Sequence, residues 1–189
     1  RTALHLAAHC GHSTAVQMLI ASNAHIDAQD DCDQTPLLLA AKHGHNDCLS
    51  ILIDANENVD VRDCDQKAPL HWAVLNNDVE TAQLLIDAKA ALDVEHMVGR
   101  TPLHCAAFRS HHTITQLLID ANATIDIDRN RNNTILLAAA TCGDGVATRM
   151  ILEAGADVNT IDRFLRRTPL HLAAMGGHSA TAQVLIDAK

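Results

Sequence analysis

Tyrosine is absent from this 189-residue chain, and its remaining aromatic side chains are Trp72, Phe108 and Phe164. A core without large rings has to be assembled from Leu, Ile, Val and Ala, which suits short helices packed closely together. Basic residues are scarce, 14 against 23 acidic ones, for a formal net charge of −9. That balance argues against a general nucleic-acid binder, whose footprint is basic. No apolar run approaches the roughly 18 residues of a membrane span, and no signal peptide opens the sequence. None of the six cysteines (Cys10, Cys32, Cys48, Cys64, Cys105 and Cys142) belongs to a C-x-x-C pair. Stapled secreted scaffolds are shorter and pair their cysteines in close order. These six therefore read as free thiols in a reducing compartment, and the expected location is intracellular and cytoplasmic. Phosphate-binding glycine loops are also missing. The serines Ser13, Ser22, Ser50, Ser110 and Ser179 sit at helix starts or loops, without the positioned base and oxyanion pocket that a nucleophile needs. The expectation is no enzyme and no catalytic residue.

Proline is rare too, and its placement reveals the organisation. All four prolines stand second in one recurring unit: Thr35-Pro36-Leu37, Ala68-Pro69-Leu70-His71, Thr101-Pro102-Leu103-His104 and Thr168-Pro169-Leu170-His171. Thr2-Ala3-Leu4-His5 and Thr134-Ile135-Leu136 repeat the opening without proline. The units start at 2, 35, 68, 101, 134 and 168, in steps of 33 residues with a final step of 34. A fixed period of this size marks a repeat array. With 48% apolar residues, the array has enough material for a continuous core.

Each unit reads as a helix, a tight break, a second helix and an extended connector. Thr101 is a good N-cap and Pro102 a good first helical residue, since its missing N–H would find no partner there. Leu103, Ala106 and Ala107 give one apolar face at helical spacing. Gly11, Gly44, Gly143 and Gly177 are placed to end the first helix in a left-handed position, with Asn77 next best and Ser110 a weaker stop. The second helix carries bulkier residues, such as Leu49, Ile51, Leu52 and Ile53. Connectors then begin at constant phase with Ile26-Asp27, Val59-Asp60, Leu92-Asp93, Ile125-Asp126 and Val158-Asn159.

On these residues the whole chain resembles the ankyrin repeat family. Thr168-Pro169-Leu170-His171-Leu172-Ala173-Ala174 with Gly177-His178, and Glu153-Ala154-Gly155-Ala156-Asp157-Val158-Asn159, lie close to its consensus. The resemblance implies an all-α repeat solenoid of paired antiparallel helices with β-hairpin or loop tips between repeats. Its inner face would be formed by the first helices and the tips. Residues 1–189 are expected to form a single array with incomplete first and last repeats. Neither end shows the polar outer face of a cap, so the chain reads as an excerpt of a longer array.

Departures from the family pattern carry their own expectations. Asp33, Gln66 and Asn132 replace a tip glycine kept at Gly99, so several tips should be looser or differently turned. Leu38 and Leu137 replace the motif histidine, losing its hydrogen bonds. One extra residue within 162–167 should make that connector bulge.

Thirteen histidines invite a metal hypothesis. His5, His71, His104 and His171 hold the motif position, and His12, His45 and His178 follow the glycine. Repeat phase accounts for these seven as structural residues. His9, Cys10 and His12, or His43 and His45 beside a cysteine, have zinc-ligating chemistry but no zinc spacing. No metal site and no cofactor are expected. Trp72 reads as a core or groove-edge residue.

Specificity is expected at the phases that vary between repeats, the tips and the ends of the first helices. The candidate partner-binding residues are Asp31, Asp65, Lys67, Leu75, Met97, Val98, Arg100, Phe108, Arg109, Arg131, Phe164 and Arg166. The tips are acidic early (Asp30, Asp31, Asp33, Asp63, Asp65) and basic late (Arg129, Arg131, Arg163, Arg166, Arg167), with large apolar residues between. Apolar centres flanked by arginine and charged rims are the anatomy of a protein-binding face. The expected function is a monomeric scaffold or adaptor that binds a protein partner, whose identity the residues do not specify. The alternative is a targeting or regulatory module of a larger enzyme or ion channel. Nucleic acid on the basic tips is a third reading, opposed by the overall charge and by the shortage of stacking aromatics. The resemblance further implies that Asn159 holds the phase at which ankyrin asparagines are hydroxylated.

Overall fold

A computed structural model describes residues 1–125 and 134–189. Among the described residues there are twelve helices and no strand. They are α1 (Ala3–His9), α2 (Ser13–Ala21), α3 (Pro36–His43), α4 (Asn46–Asp54), α5 (Pro69–Leu75) and α6 (Val79–Asp87). The second half of the chain contributes α7 (Pro102–Phe108), α8 (His112–Asp120), α9 (Ile135–Cys142), α10 (Gly145–Glu153), α11 (Pro169–Met175) and α12 (Ser179–Asp187). The architecture is an all-α repeat solenoid with six helix pairs. Two compact units divide it, Arg1–Val98 with α1–α6 and Gly99–Lys189 with α7–α12.

Each first helix starts where the motif predicts. Thr2, Thr35, Thr101, Thr134 and Thr168 are extended N-caps whose hydroxyls accept the backbone N–H three residues on. Such a cap is worth about 1 kcal/mol. Ala68 holds the same place without a hydroxyl. The motif histidine completes the turn. His5 is fully buried; its Nδ1 accepts from Thr2 N–H at 3.1 Å, and its Nε2–H donates to the Gln34 carbonyl at 3.0 Å. One neutral tautomer thus ties a helix start to the next tip.

Helix layers stack in register. In the first unit α1 packs on α3 and α3 on α5, while α2 packs on α4 and α4 on α6. The second unit repeats this with α7, α9 and α11 in one layer and α8, α10 and α12 in the other. Leu4, Leu37 and Leu70, then Leu103, Leu136 and Ala173, are among the side chains that fill the space with almost no exposure. Alanines such as Ala8, Ala41, Ala107 and Ala140, fully buried, allow the close approach of the first helices.

All positive-φ positions among the described residues fall on three repeat phases. Residues 11, 44, 77, 110, 143 and 177 end the first helices, so Asn77 (φ 54°) and Ser110 (φ 58°) adopt the turn that glycine makes elsewhere. At Gly11 only hydrogen fits: φ is 74°, and an added Cβ would lie 2.7 Å from His45 Nδ1. That imidazole is fixed, because its Nε2 bonds the His9 carbonyl at 3.0 Å. His178 bonds the Thr141 carbonyl in the same way at 3.2 Å. The second phase, Asn23, Asn56, Lys89, Asn122 and Gly155, ends the second helices. The third phase is the tip.

The tips correct one expectation. Asp33 (φ 59°), Gln66 (φ 60°) and Arg166 (φ 52°) make the same left-handed turn as Gly99 (φ 78°), so replacement of glycine does not loosen or redirect them. An aspartate anchors each turn instead. Asp30 Oδ1 accepts from Cys32 and Gln34 N–H, and Asp63 Oδ1 from Asp65 and Lys67 N–H. These bonds offset the roughly 1–2 kcal/mol that a left-handed residue costs. Asn132 lies outside the described residues. The inserted residue bulges as expected: Asp162 N–H bonds the Arg167 carbonyl across six residues, where Asp30 reaches Gln34 across five.

Candidate functional surface

The tip aspartates also use their second oxygen. Asp30 Oδ2 pairs with Arg1 at 2.8 Å, Asp63 Oδ2 accepts from Trp72 Nε1–H at 3.0 Å, and Asp162 Oδ2 pairs with Arg167 at 2.6 Å. Burial works to raise the Asp30 carboxyl, but Arg1 and the two backbone N–H groups outweigh it and hold it below its ordinary value. The Arg167 bond does most to depress Asp162. Asp30 and Asp63, expected on an acidic surface, are therefore buried structural anchors, 8% and 2% exposed. Exposed acid on these tips comes from Asp31, Asp33 and Asp65.

In the first unit two of the candidates, Lys67 and Asp65, meet at a residue not placed among them. Trp72 is half-buried on α5, with Lys42 Nζ 4.5 Å and Lys67 Nζ 4.9 Å from its ring centroid. Lys67 is paired with Asp65 at 2.6 Å, which holds that carboxyl low. Asn76 Nδ2 donates to the Lys42 carbonyl at 2.8 Å, and Leu75 is half-buried beside it in sequence. A cation over an indole face is worth about 0.5–2 kcal/mol. The signal for Trp72 was available in the sequence: a tryptophan at a phase held elsewhere by Leu, Cys or Ala. Met97 and Val98, 64% and 73% exposed, follow on the next tip, where Met97 N–H bonds the Asp65 carbonyl at 3.0 Å. Asp31 is exposed on the second tip.

The second unit brings Arg100 and Phe108 together, the guanidinium carbon 4.5 Å from the ring centroid. Phe108 remains 41% exposed, and Arg109, next to it, is exposed. On the bulged tip Phe164 and Leu165 are 84% and 66% exposed, with Arg166 exposed beside them. A cavity of about 420 Å³ opens between the fifth and sixth repeats, lined by Leu137, Thr141, Asp162, Arg167, Leu172 and Met175. Leu137, where the motif has histidine, thus forms part of an apolar wall. Arg131 lies outside the described residues.

Charge follows the same division. Residues 1–98 carry 15 acidic and 5 basic side chains, and residues 99–189 carry 8 and 9. Among the described residues no group of three or more His, Cys, Asp or Glu side chains is arranged to hold a metal ion. No helix among them is long and apolar enough to cross a membrane. His9, His43 and His45 do cluster, with ring centroids 4.3 Å and 6.2 Å apart, and burial together with its charged neighbours pushes His43 down. Asn159 is exposed, its N–H bonded to Asp157 Oδ1 at 2.9 Å. Its counterparts Asp27 and Asp60 instead accept Asn58 and Ala91 N–H from the following repeat, at 3.2 and 2.8 Å.

Comparison with known proteins agrees with this architecture. A family model described as ankyrin repeats (3 copies) matches residues 4–97 and 89–162, and one described as ankyrin repeats (many copies) matches residues 147–186. No curated protein sequence matches the chain. Among solved structures, an ankyrin repeat domain from Acinetobacter baumannii is 27% identical with a TM-score of 0.90, covering 98% of this chain and 96% of that one. The human ASB11 ankyrin repeat domain is also 27% identical, with a TM-score of 0.85 over 100% of this chain and 84% of its own. A chain from the Bdellovibrio bacteriovorus predatory endopeptidase Bd0816 in complex with immunity protein Bd3460 gives 27% identity and a TM-score of 0.88, over 100% and 99%. The chain belongs to the ankyrin repeat family, whose domains serve in general as non-catalytic protein–protein interaction modules.

Proposed function

We infer that this ankyrin domain is a scaffold or adaptor segment that binds a protein partner along its tips and first-helix ends. One observation carries the reading. Six of the large apolar side chains that the core leaves exposed fall at the variable phases, Met97, Val98, Phe164 and Leu165 on tips and Phe108 and Met175 at first-helix ends, while others such as Met18 and Val146 lie on second helices. Exposed apolar and aromatic residues beside arginine mark interaction sites. In the first unit Trp72 with Lys42 and Lys67 offers an amphipathic spot, with Asp65 paired to Lys67, and Asp31 and Leu75 belong to the same variable phases. In the second, Arg100, Arg109 and Arg166 accompany Phe108 and Phe164, and Arg131 holds the tip phase of Asp65 and Val98. Charge sets the orientation: a basic partner segment suits the first unit, net −10, and an acidic one the second. The matched Bdellovibrio structure is itself a protein–protein complex. Exposed thiols at Cys10, Cys32 and Cys64 fit work in a reducing compartment.

The test is partner capture followed by affinity measurement with Trp72→Ala, Phe108→Ala and the pair Arg109→Glu with Arg131→Glu. Losses of about 1–3 kcal/mol are expected for residues that anchor an interface; unchanged affinity in all three would sink the surface assignment. Asn159 is a proposed hydroxylation site, being exposed on its arm. A peptide mass higher by about 16 Da, one oxygen atom, is expected in cells that contain an asparaginyl hydroxylase, and an unmodified peptide there ends the idea.

A further inference from the structure

We propose that Cys32 and Cys64 are a redox pair, forming a reversible disulfide that ties the tip of the second repeat to the tip of the third. Both side chains are exposed thiols on adjacent tips. Cys64 N–H donates to the Cys32 carbonyl at 3.1 Å. Residues paired by backbone hydrogen bonds have Cα atoms roughly 5.5 Å apart, so this bond brings the two cysteines near the roughly 4.4–6.8 Å that a disulfide spans. Both backbones are already ordered. Cys32 N–H is held by Asp30 Oδ1 at 2.9 Å, and Cys64 lies inside the turn closed from Asp63 N–H to the Lys67 carbonyl at 3.1 Å. Little further ordering is then needed to join them. The other four cysteines lie away from these tips: Cys48 and Cys105 are buried on helices, and Cys10 and Cys142 sit at first-helix ends.

The oxidant is a low-molecular-weight disulfide such as oxidised glutathione. One cysteine thiolate attacks a glutathione sulfur, forms a mixed disulfide and expels a glutathione thiolate. The second thiolate then attacks the protein sulfur of that mixed disulfide and expels the other glutathione. Two protein thiols give up two electrons and two protons, and two reduced glutathione molecules carry them away. Desolvation, with Asp65, Cys32 and Asp63 close by, pushes the Cys64 thiol up. Cys64 therefore stays mostly a thiol near neutrality, and its oxidation quickens as pH rises. Asp31, Asp33 and Asp65 share the tethered tips, so the cross-link fixes the acidic edge of the first unit. The pairing rests on tip geometry and not on the binding surface proposed above.

The whole chain, equilibrated in glutathione buffers from reducing to oxidising and trapped by alkylation, is read by intact mass and peptide mapping. The expected result is a mapped Cys32–Cys64 bond, with the mass lower by about 2 Da, at a more reducing ratio than any glutathione adduct on exposed Cys10. Cys32→Ser and Cys64→Ser should each abolish the bond and leave a glutathione adduct on the remaining tip cysteine. Adducts on both tip cysteines without a bond between them, links only between molecules, or full alkylation across the whole range would each overturn the proposal.

Discussion

Glu57 should make the stability of the first unit fall as pH rises from about 5 to 8. Its phase is occupied by Ala24, Ala90, Ala123 and Ala156 in other repeats, and only here does a carboxyl enter the stack. The side chain is 3% exposed. Oε1 accepts from Leu37 N–H at 3.0 Å, the Thr35 hydroxyl lies close enough to favour the charged carboxylate, and Oε2 has no hydrogen-bond partner. Burial pushes the acid up to about 8, against the pull of the Thr35 and Leu37 bonds and with some help from Asp27. The unfolded chain releases this proton near pH 4.5 and the folded chain holds it to about 8. Between those values the folded state binds more protons, so each pH unit removes about 1.4 kcal/mol of stability, and the loss ends above pH 8. From pH 5 to pH 8 it comes to about 3–4 kcal/mol, a large part of the 5–15 kcal/mol typical of a domain.

Glu57→Gln isolates this contribution. The amide oxygen can keep the Leu37 bond, and the side chain is neutral at every pH. Denaturant unfolding of both proteins at pH 5, 6, 7 and 8 gives a difference in which the other titrating groups cancel. That difference should move toward the variant by about 3–4 kcal/mol across the series. The offset at pH 5 reports a separate matter, the cost of placing an amide NH₂ where Oε2 has no partner. A pH-independent difference would refute the buried-acid reasoning whatever its offset.

Three further outcomes follow from repeat phase. Ala68→Thr supplies the hydroxyl cap that Thr35 and Thr101 make while fully buried, and should stabilise by about 1 kcal/mol in denaturant unfolding. Gln66→Gly relieves an exposed left-handed residue while Asp63 keeps its backbone bonds, and should raise the thermal midpoint, with a gain of up to about 1 kcal/mol. Gly11→Ala should lose about 2 kcal/mol or more, since it adds left-handed strain and displaces the His45 ring; a change below the error of the unfolding measurement would contradict the close approach.

What the sequence made legible was whatever stacking requires in every repeat. The helix starts at Thr2 to Thr168, the role of His5 and the bulge at 162–167 are repeated solutions to one packing problem, so their phase exposes them. The tips were harder. Asp33 and Gln66 look wrong for a glycine turn when judged by conformational preference alone. The residue that decides the turn is three positions earlier, at Asp30 and Asp63, where composition suggested surface charge. Asn23, Asn56 and Asn122 at the second-helix ends were legible in principle, because they share a phase with Gly155. Candidate binding residues were legible as phases and not as contacts. Nothing local in the sequence says that Trp72 reaches Asp63 or that Arg100 covers Phe108.

The least legible feature joins two departures read separately. Leu38 in place of the motif histidine looked like a simple loss of hydrogen bonds. Glu57, nineteen residues on, brings its carboxyl toward the Thr35 hydroxyl that a histidine would have held, and bonds Leu37 N–H at 3.0 Å. In the first repeat that hydroxyl meets His5 Nδ1 at 2.8 Å, and Ala24 stands where Glu57 would be. The two substitutions are therefore one exchange, in which an imidazole tied to the next tip gives way to a buried acid. Leu38→His alone should crowd Glu57, and Glu57→Ala alone should leave Leu37 N–H and the Thr35 hydroxyl without that acceptor. Together they restore the arrangement of the first repeat, so a double-mutant cycle at pH 7 should show a favourable coupling of about 1–3 kcal/mol. The double variant should also lose the fall in stability between pH 5 and pH 8 that Glu57 imposes. Strict additivity would mean that Leu38 and Glu57 arrived independently and that the shared hydroxyl has no energetic consequence.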